Sequence, residues 1–326
     1  MLRFLIRRAL GAIVIIFLLI TLTFFAFHTM PVDPAQLNCP KGCNPELLTQ
    51  IRQNMHLDRS LGTQFWDYIS GLFIGQDMGS IGHCAAPCFG YSYNTQQFVW
   101  DRISANYPAT FVLAIGGAAC FLIIGVGLGM LSAWKQGSIL DRVASSISLI
   151  GQSTQIYFIG PLAMALFVYS LGWLNRPEYI PITQDPWGCF MGMLLPCLVM
   201  SVIFWSNYTR QVRSLMLEQM SEDHIRAARA KGMSSSYVWW RYALRGAMAP
   251  IITIFGIDLG TVFSGAIITE YTFNIQGLGF LAVKSVNSMD LNLELGVLIF
   301  SSVAILLFNI IVDATYGLLD PRVRLG

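Results

Sequence analysis

The chain has 326 residues, 55% of them hydrophobic and only 12% charged, with a mean hydropathy of +0.58. That balance excludes a soluble globular protein of this size and predicts an all-α protein that crosses a membrane several times. A net charge of +2, with basic residues divided among separate loops, offers no face for nucleic acid.

The first apolar run, Ala9 to Met30, follows Arg3, Arg7 and Arg8 and is long enough to span a bilayer. MPVDPAQ comes next, with no small-residue cleavage site, so residues 1–30 are expected to form a retained anchor helix. Residues 31–106 turn polar and are punctuated by Pro and Gly. They are expected to form an extracytoplasmic lid with short helices at Glu46–Met55 and Leu61–Ile74. The lid carries Cys39, Cys43, Cys84 and Cys88 as two Cys-x-x-x-Cys pairs. In an oxidising compartment four such thiols pair, so disulfides are expected rather than a metal or redox site, even with His83 beside Cys84. Each pair can close on itself or the two segments can be joined. Joining them closes the longer loop and removes more unfolded-state entropy, which makes it the expected arrangement. Cys120, Cys189 and Cys197 fall in or beside apolar runs and read as small core residues.

Residues 107–326 supply five further apolar runs. The second span, from about Tyr107 to Trp134, carries Gly125 and Gly129 four apart, a face on which another helix can pack closely. After a short loop with Lys135, Asp141 and Arg142, a third span is expected from about Val143 to Leu171. Gln152, Ser153 and Gln155 lie inside it, where lipid exposure is costly, so they are expected to face other helices or a water-filled pathway. The fourth span, Trp187 to Tyr208, delivers Arg210 and Arg213 to a polar loop. The fifth, Ala249 to Thr269, holds Asp258 near its centre, and the sixth, Leu293 to Tyr316, holds Asp313. Asp258 is expected to serve a pathway or gate, with a structural hydrogen bond to a neighbouring helix as the alternative, and Asp313 to be structural. Six spans put both termini on one side. The terminal segments and the 135–142 and 210–245 loops hold 14 Lys and Arg against 6 in the opposite loops, so both termini are expected to be cytoplasmic.

The polar loop, SEDHIRAARAKGMSSSYVWWRYALRGAMAP from Ser221 to Pro250, reads as two short helices with a hinge. Ser221 is the expected first cap and Gly232 the left-handed stop, with Ser234 capping a second helix whose Tyr237, Trp240, Tyr242 and Leu244 form an aromatic side. Ala227, Ala228 and Gly232 leave the backbone open to close approach. Arg226 and Lys231 would then meet acids on a partner protein; the alternative is a loop that contacts only lipid phosphates. The chain has no Gly-x-x-x-x-Gly-Lys-Ser/Thr loop, no His-Glu-x-x-His and no Gly-x-Ser-x-Gly. It is expected to be no enzyme, to bind no metal or cofactor, and to draw energy from elsewhere.

Ala227, Ala228 and Gly232 with the distant Pro250 resemble the cytoplasmic loop of permease subunits in bacterial binding-protein-dependent ABC importers, and ARAKG…ALRGAMAP resembles the oligopeptide and dipeptide branch. The start RFLIRRAL…MPVDPAQ, the words HLDRSLGTQFWDYISGLFIGQDMG and NYPATFVLA, and the end LLDPRVRLG resemble the same family. So does ITEYTFNIQGLGFL, through Glu270, Phe273, Gly277, Leu278 and Gly279. The sequence departs from the pattern at Arg226, where Glu is common, at Gln155 and Gln276, where Pro is usual, and in the Cys-bearing inserts.

The resemblance implies a type I importer permease in the bacterial cytoplasmic membrane, with an extracytoplasmic insert after the first helix. It implies a coupling helix within residues 212–247 that docks on an ATPase through Arg226, Ala227, Ala228, Lys231 and Gly232. Gln152, Ser153, Gln155, Asp258 and Glu270 are the candidates for the pathway or its gate. The implied partners are a second homologous permease, two ATP-binding subunits that hold ATP and Mg, an extracytoplasmic solute-binding protein and membrane lipid. The implied cargo is a dipeptide or oligopeptide. Nickel, haem or another small solute is the alternative within the branch, and an ion-coupled secondary transporter using Asp258 the alternative outside it.

Overall fold

The computed structural model describes residues 2–28, 35, 44–54, 59–78 and 81–319. They are mostly helical, and their contacts divide them into two units: Leu2–Thr110 with Gln276–Leu306, and Phe111–Ile275 with the chain from Leu307 onward. Among the described residues, five helices are long and apolar enough to cross a membrane, at Ile6–Ala26, Val99–Trp134, Pro186–Ser221, Ser235–Gly260 and Leu291–Ile310.

The first unit begins with α1 (Leu2–His28), α2 (Pro45–Asn54) and α3 (Leu61–Ile74). The two short helices thus lie within a residue of the expected bounds. Ser60 caps α3 by accepting from the Thr63 N–H. Gly75, at φ +88°, ends it; a Cβ there would lie 2.6 Å from the Cys84 carbonyl oxygen. Two antiparallel ribbons follow, β1 (Gln76–Asp77) with β2 (His83–Cys84) and β3 (Tyr91–Ser92) with β4 (Gln97–Phe98). The beginning of α4 (Val99–Trp134), α11 (Leu278–Ser288) and the beginning of α12 (Leu291–Leu319) complete the unit. Its core joins Phe24 of α1, Phe65 and Leu72 of α3, Val99 and Ile103 of α4, Leu281 of α11 and Leu293 of α12.

Polar contacts tie the second ribbon to the turn between α11 and α12. The Ser92 hydroxyl donates to the Asp290 carboxylate, both side chains fully buried, and Asp290 accepts in turn from the Leu293 N–H at 3.2 Å. Asn292 donates to the Tyr91 carbonyl at 2.9 Å and Asn94 to the Ser288 carbonyl at 3.1 Å. Burial holds the Asp290 carboxyl above the usual carboxylate range, against the lowering effect of Ser92.

Cys84 is bonded to Cys88, with Cα atoms 5.6 Å apart, and this corrects the expected cross-link between segments. The chain bends at residues 86–87, directly after β2, and this brings the thiol four residues on within bonding reach of Cys84. Cys39 and Cys43 lie outside the described residues. Cys189 and Cys197 are buried, and the Cys197 Sγ fills the space beside Gly116.

The second unit is organised on α7 (Pro186–Ser221), which packs against α5 (Ile139–Ser153), α6 (Ile156–Ala163) and α10 (Leu244–Phe273). The remainder of α4 approaches α7 through the two expected glycines. A Cβ at Gly125 would lie 2.6 Å from the Tyr208 Cβ, and one at Gly129 2.8 Å from the Thr209 carbonyl oxygen. Phe121 of α4 stacks on Phe204 and touches Tyr208 and Phe255.

The expected continuous span from Val143 to Leu171 is divided. α5 ends at Ser153, Thr154 and Gln155 are extended at φ −97° and −94°, and α6 starts at Ile156 and runs into a π-helical stretch, Met164–Ser170. No proline makes this break. The Ser153 and Thr154 hydroxyls donate to the carbonyls of Leu149 and Ile150, four residues back, and the Phe158 and Ile159 N–H groups find the Gln155 carbonyl. Gly151 lets α5 sit directly on Ser206 of α7, and a Cβ at Gly160 would lie 2.6 Å from the Thr272 methyl of α10.

Candidate functional site

α7 ends in the polar loop. Glu222, not Ser221, occupies the N-cap position of α8 (Asp223–Ala230), without a side-chain cap; Ser221 is still the last residue of α7, and its hydroxyl donates to the Glu218 carbonyl. Asp223 in the first turn and Arg229 in the last match the helix dipole. Ile225 and Ala228, three apart, are buried against the chain itself, whereas Arg226, Ala227, Lys231 and Gly232 are exposed. Arg226 reaches Asp223 at 3.2 Å, an exposed pair worth little. Gly232 adopts φ +80° with open space around its Cα, and the Met233 N–H closes on the Ala228 carbonyl, a left-handed helix stop.

Ser234 then caps α9 (Ser235–Val238) through the Tyr237 N–H, and a π-helical stretch, Trp239–Ala243, joins it to α10. Pro250 lies inside the continuous α10. Tyr237 and Trp240 are exposed, and the Tyr237 ring meets Tyr242. Trp239 is turned inward onto Trp134, ring centroids 5.2 Å apart, beside a cavity of about 560 Å3 that Leu217, Met220 and Arg229 also line.

Upstream of the loop, successive polar residues of α7 each engage a different neighbour. Arg213 donates through Nε and Nη2 to the two oxygens of Asp141, at 2.6 and 2.9 Å. The same carboxylate accepts from the Ser132 hydroxyl of α4 and from the Gly137 N–H at 2.9 Å. The Arg213 and Ser132 hydrogen bonds hold the Asp141 carboxyl well below the usual carboxylate range. Arg210 donates to the Gln152 Oε1 at 2.8 Å, and the Gln152 amide donates to the Asn207 Oδ1 at 2.7 Å. Tyr208, fully buried, lies close enough to Asp258 of α10 for the two to interact, outside ideal hydrogen-bond geometry.

The sequence candidates therefore do not form one cluster. Gln152 is joined to α7, Ser153 bonds its own helix, and Gln155 is exposed at the N-cap position before α6. Asp258 is half-buried, and Glu270, fully buried, stands about 18 Å further along α10. The side chain of Asp313 lies outside the described residues. The described residues contain no group of His, Cys, Asp and Glu side chains that could hold a metal ion.

Residues 1–114 match the family described as the N-terminal part of the binding-protein-dependent transport system membrane component, and residues 125–325 match the binding-protein-dependent transport system inner membrane component. The chain belongs to this family. This inner membrane component is 32% identical to the probable D,D-dipeptide transport system permease protein DdpB of Escherichia coli K12, over 98% of the chain and 97% of that protein. It is 31% identical to the glutathione transport system permease protein GsiC of the same strain, over 99% of both. A solved chain of the MetNI methionine ABC transporter, in an inward-facing conformation, shares its fold with a TM-score of 0.56 at 16% identity, covering 67% of this chain and 96% of that one. With five membrane-length apolar helices, the family member is a multi-pass inner-membrane protein.

Sequence reasoning missed the Asp141 cluster in this family member. The available signal was Ser138 three residues before Asp141, a helix-start pattern that marks the carboxylate as fixed rather than mobile. Nothing local pointed to Arg213, 72 residues away.

Proposed function

We propose that this chain is the membrane-spanning subunit of an ATP-driven importer of short peptides. It works with a second homologous permease subunit, two ATP-binding subunits and an extracytoplasmic solute-binding protein. The peptide cargo is supported by the transport roles in the names of relatives that align over nearly the whole chain. ATP is bound and split in the partner subunits.

In this reading α5 and α6 together make one crossing, which gives six, with both termini and the loop around α8 on the cytoplasmic side and residues 31–106 outside. Arg226, Ala227, Lys231 and Gly232 form the face on which an ATPase docks, and Ala228 holds α8 to its own chain. The carrying observation is the continuity of α7: the helix that contacts Gln152 through Asn207 and Asp258 through Tyr208 runs without interruption to Ser221, at the root of α8. A push on α8 reaches both residues through a rigid rod. Gln152, Ser153 and Gln155 line the pathway, and Asp258 and Glu270 control it from α10.

The test is to purify the tagged chain in mild detergent, identify what accompanies it, and reconstitute that assembly in vesicles. Expected are two ATPase subunits, a second permease and ATP hydrolysis stimulated by a peptide-loaded binding protein. A chain that purifies alone and moves solute on an ion gradient would overturn the reading, and stimulation by nickel or haem in place of peptide would replace the cargo.

A further inference from the structure

The helix α3 presents three faces. Gln64, Phe65 and Leu72 are buried in the first unit. Trp66, Ile69 and Phe73, at i, i+3 and i+7, form one flank that is apolar, with Trp66 64% and Phe73 78% exposed. Thr63, Asp67 and Ser70, at i, i+4 and i+7, form the opposite flank, interrupted only by Ile74 in the last turn. Arg59 pairs with Asp67 at 2.7 Å on that side.

The contacts of Phe65 fix the level of α3 along the first span. Its ring lies 6.2 Å from Phe17, 5.4 Å from Phe24 and 5.7 Å from Phe25, between two turns of α1 that both belong to the apolar stretch Ile6–Ala26. Both turns lie in the C-terminal half of that stretch, so α3 is held beside the later part of the span and not beyond it. Helices that lie in a membrane interface bury their apolar face by about 5–10 Å. The neighbouring surface of α1 is itself exposed and apolar at Phe17, Leu18 and Leu22, and Trp66, 6.1 Å from Phe65, extends it. In water such a patch would be an aggregation liability, whereas a Trp-bearing amphipathic helix suits the headgroup boundary.

We propose that α3 is a membrane-contact element, lying in the lipid interface at the C-terminal end of the first span. Trp66 and Phe73 enter the acyl boundary, with Ile69 between them partly buried against the core, and Thr63, Asp67 and Ser70 face water. The segment after α1 is therefore held at the bilayer surface by lipid as well as by its tether.

The test uses the chain with the subunits that purify with it, in phosphatidylcholine vesicles with or without lipid brominated near the headgroup. The difference in fluorescence between the native protein and W66F isolates the Trp66 signal. Most of that signal is expected to be lost in brominated vesicles and little to aqueous iodide. A Trp introduced as F73W in the W66F background should behave in the same way, and one introduced as S70W should be quenched by iodide and spared by bromine. Trp66 and F73W signals quenched only by iodide would mean a water-facing segment, and signals spared by both would mean a surface covered by the second permease. Either result overturns the proposal.

Discussion

Arg213 grips Asp141 side-on, with Nε and Nη2 each donating to a different carboxylate oxygen at 2.6 and 2.9 Å. A bidentate pair of this kind fixes angle as well as distance, so the start of α5 is locked in orientation to α7 a short way upstream of the loop. Removing the cation leaves a covered carboxylate without its counter-charge. The site lies near helix ends, with the Arg213 side chain 30% exposed, so the loss is set toward the low side, about 2 kcal/mol.

The pH dependence has a definite sign. Because the folded Asp141 carboxyl titrates below its unfolded value of about 3.9, the pair stabilises the fold fully at neutral pH. That contribution is lost as pH falls below about 4 toward the depressed folded value. Thermal unfolding in detergent should show R213Q and D141N less stable than the native chain at pH 7, with the gap narrowing in acid. A gap independent of pH would mean that packing, not ionisation, is what the substitutions disturb.

On α8 the small residues are not equivalent. A227W places a ring on the outward face and should reduce co-purification of the ATPase subunits while membrane insertion stays normal. A228W forces a ring into the space beside Ile225 and should lower the folded yield of the chain. At Gly232, Asn should be tolerated because it accepts the left-handed conformation, whereas Val should cost about 1–2 kcal/mol and unseat the loop. Unchanged co-purification with A227W would favour a loop that meets lipid headgroups.

Gln155→Pro tests the break between α5 and α6. Thr154, at φ −97° and ψ 134°, already has the extended backbone that precedes proline, and Gln155 is the first residue before a helix. The variant should keep native yield and transport, with a stability change below about 1 kcal/mol. In an unbroken helix the same change would cost about 3 kcal/mol, and a collapse in yield would reveal one.

Asp258→Asn should lower transport more than folded yield, and Tyr208→Phe should move transport in the same direction. Their double variant should be no worse than the poorer single one if the two act as a unit. Normal transport by Asp258→Asn at normal expression would make its charge dispensable.

Much of this arrangement was legible in the sequence where a signal is local. The Gly125 and Gly129 spacing forecast a close helix crossing, Gly232 a left-handed stop, and the run Leu61–Ile74 a helix of the right length. What failed was carried by contacts that no short window contains. The split after Ser153 comes where Gly151 rests on Ser206 and Thr154 and Gln155 turn extended, and in sequence the polar residues there read as facing a pathway inside one continuous span. The disulfide was misassigned because entropy favours a long loop, while the bend after β2 brings the near thiol into place. Ser221 has the residue type of a cap, but α7 runs through it and the N-cap position falls one residue later, at Glu222.

The Ser92 and Asp290 contact limits how the segment between α1 and α4 can be altered. Excising residues 76–98 as a cassette would take the Ser92 hydroxyl from the Asp290 carboxyl, leaving it the Leu293 N–H, and would strand Asn292 as well. A buried acceptor that loses its donor carries the full desolvation cost, and here it stands at the first turn of α12. A shortened or transplanted version of the segment has to bring its own hydroxyl to that position, or α12 will start in the wrong place.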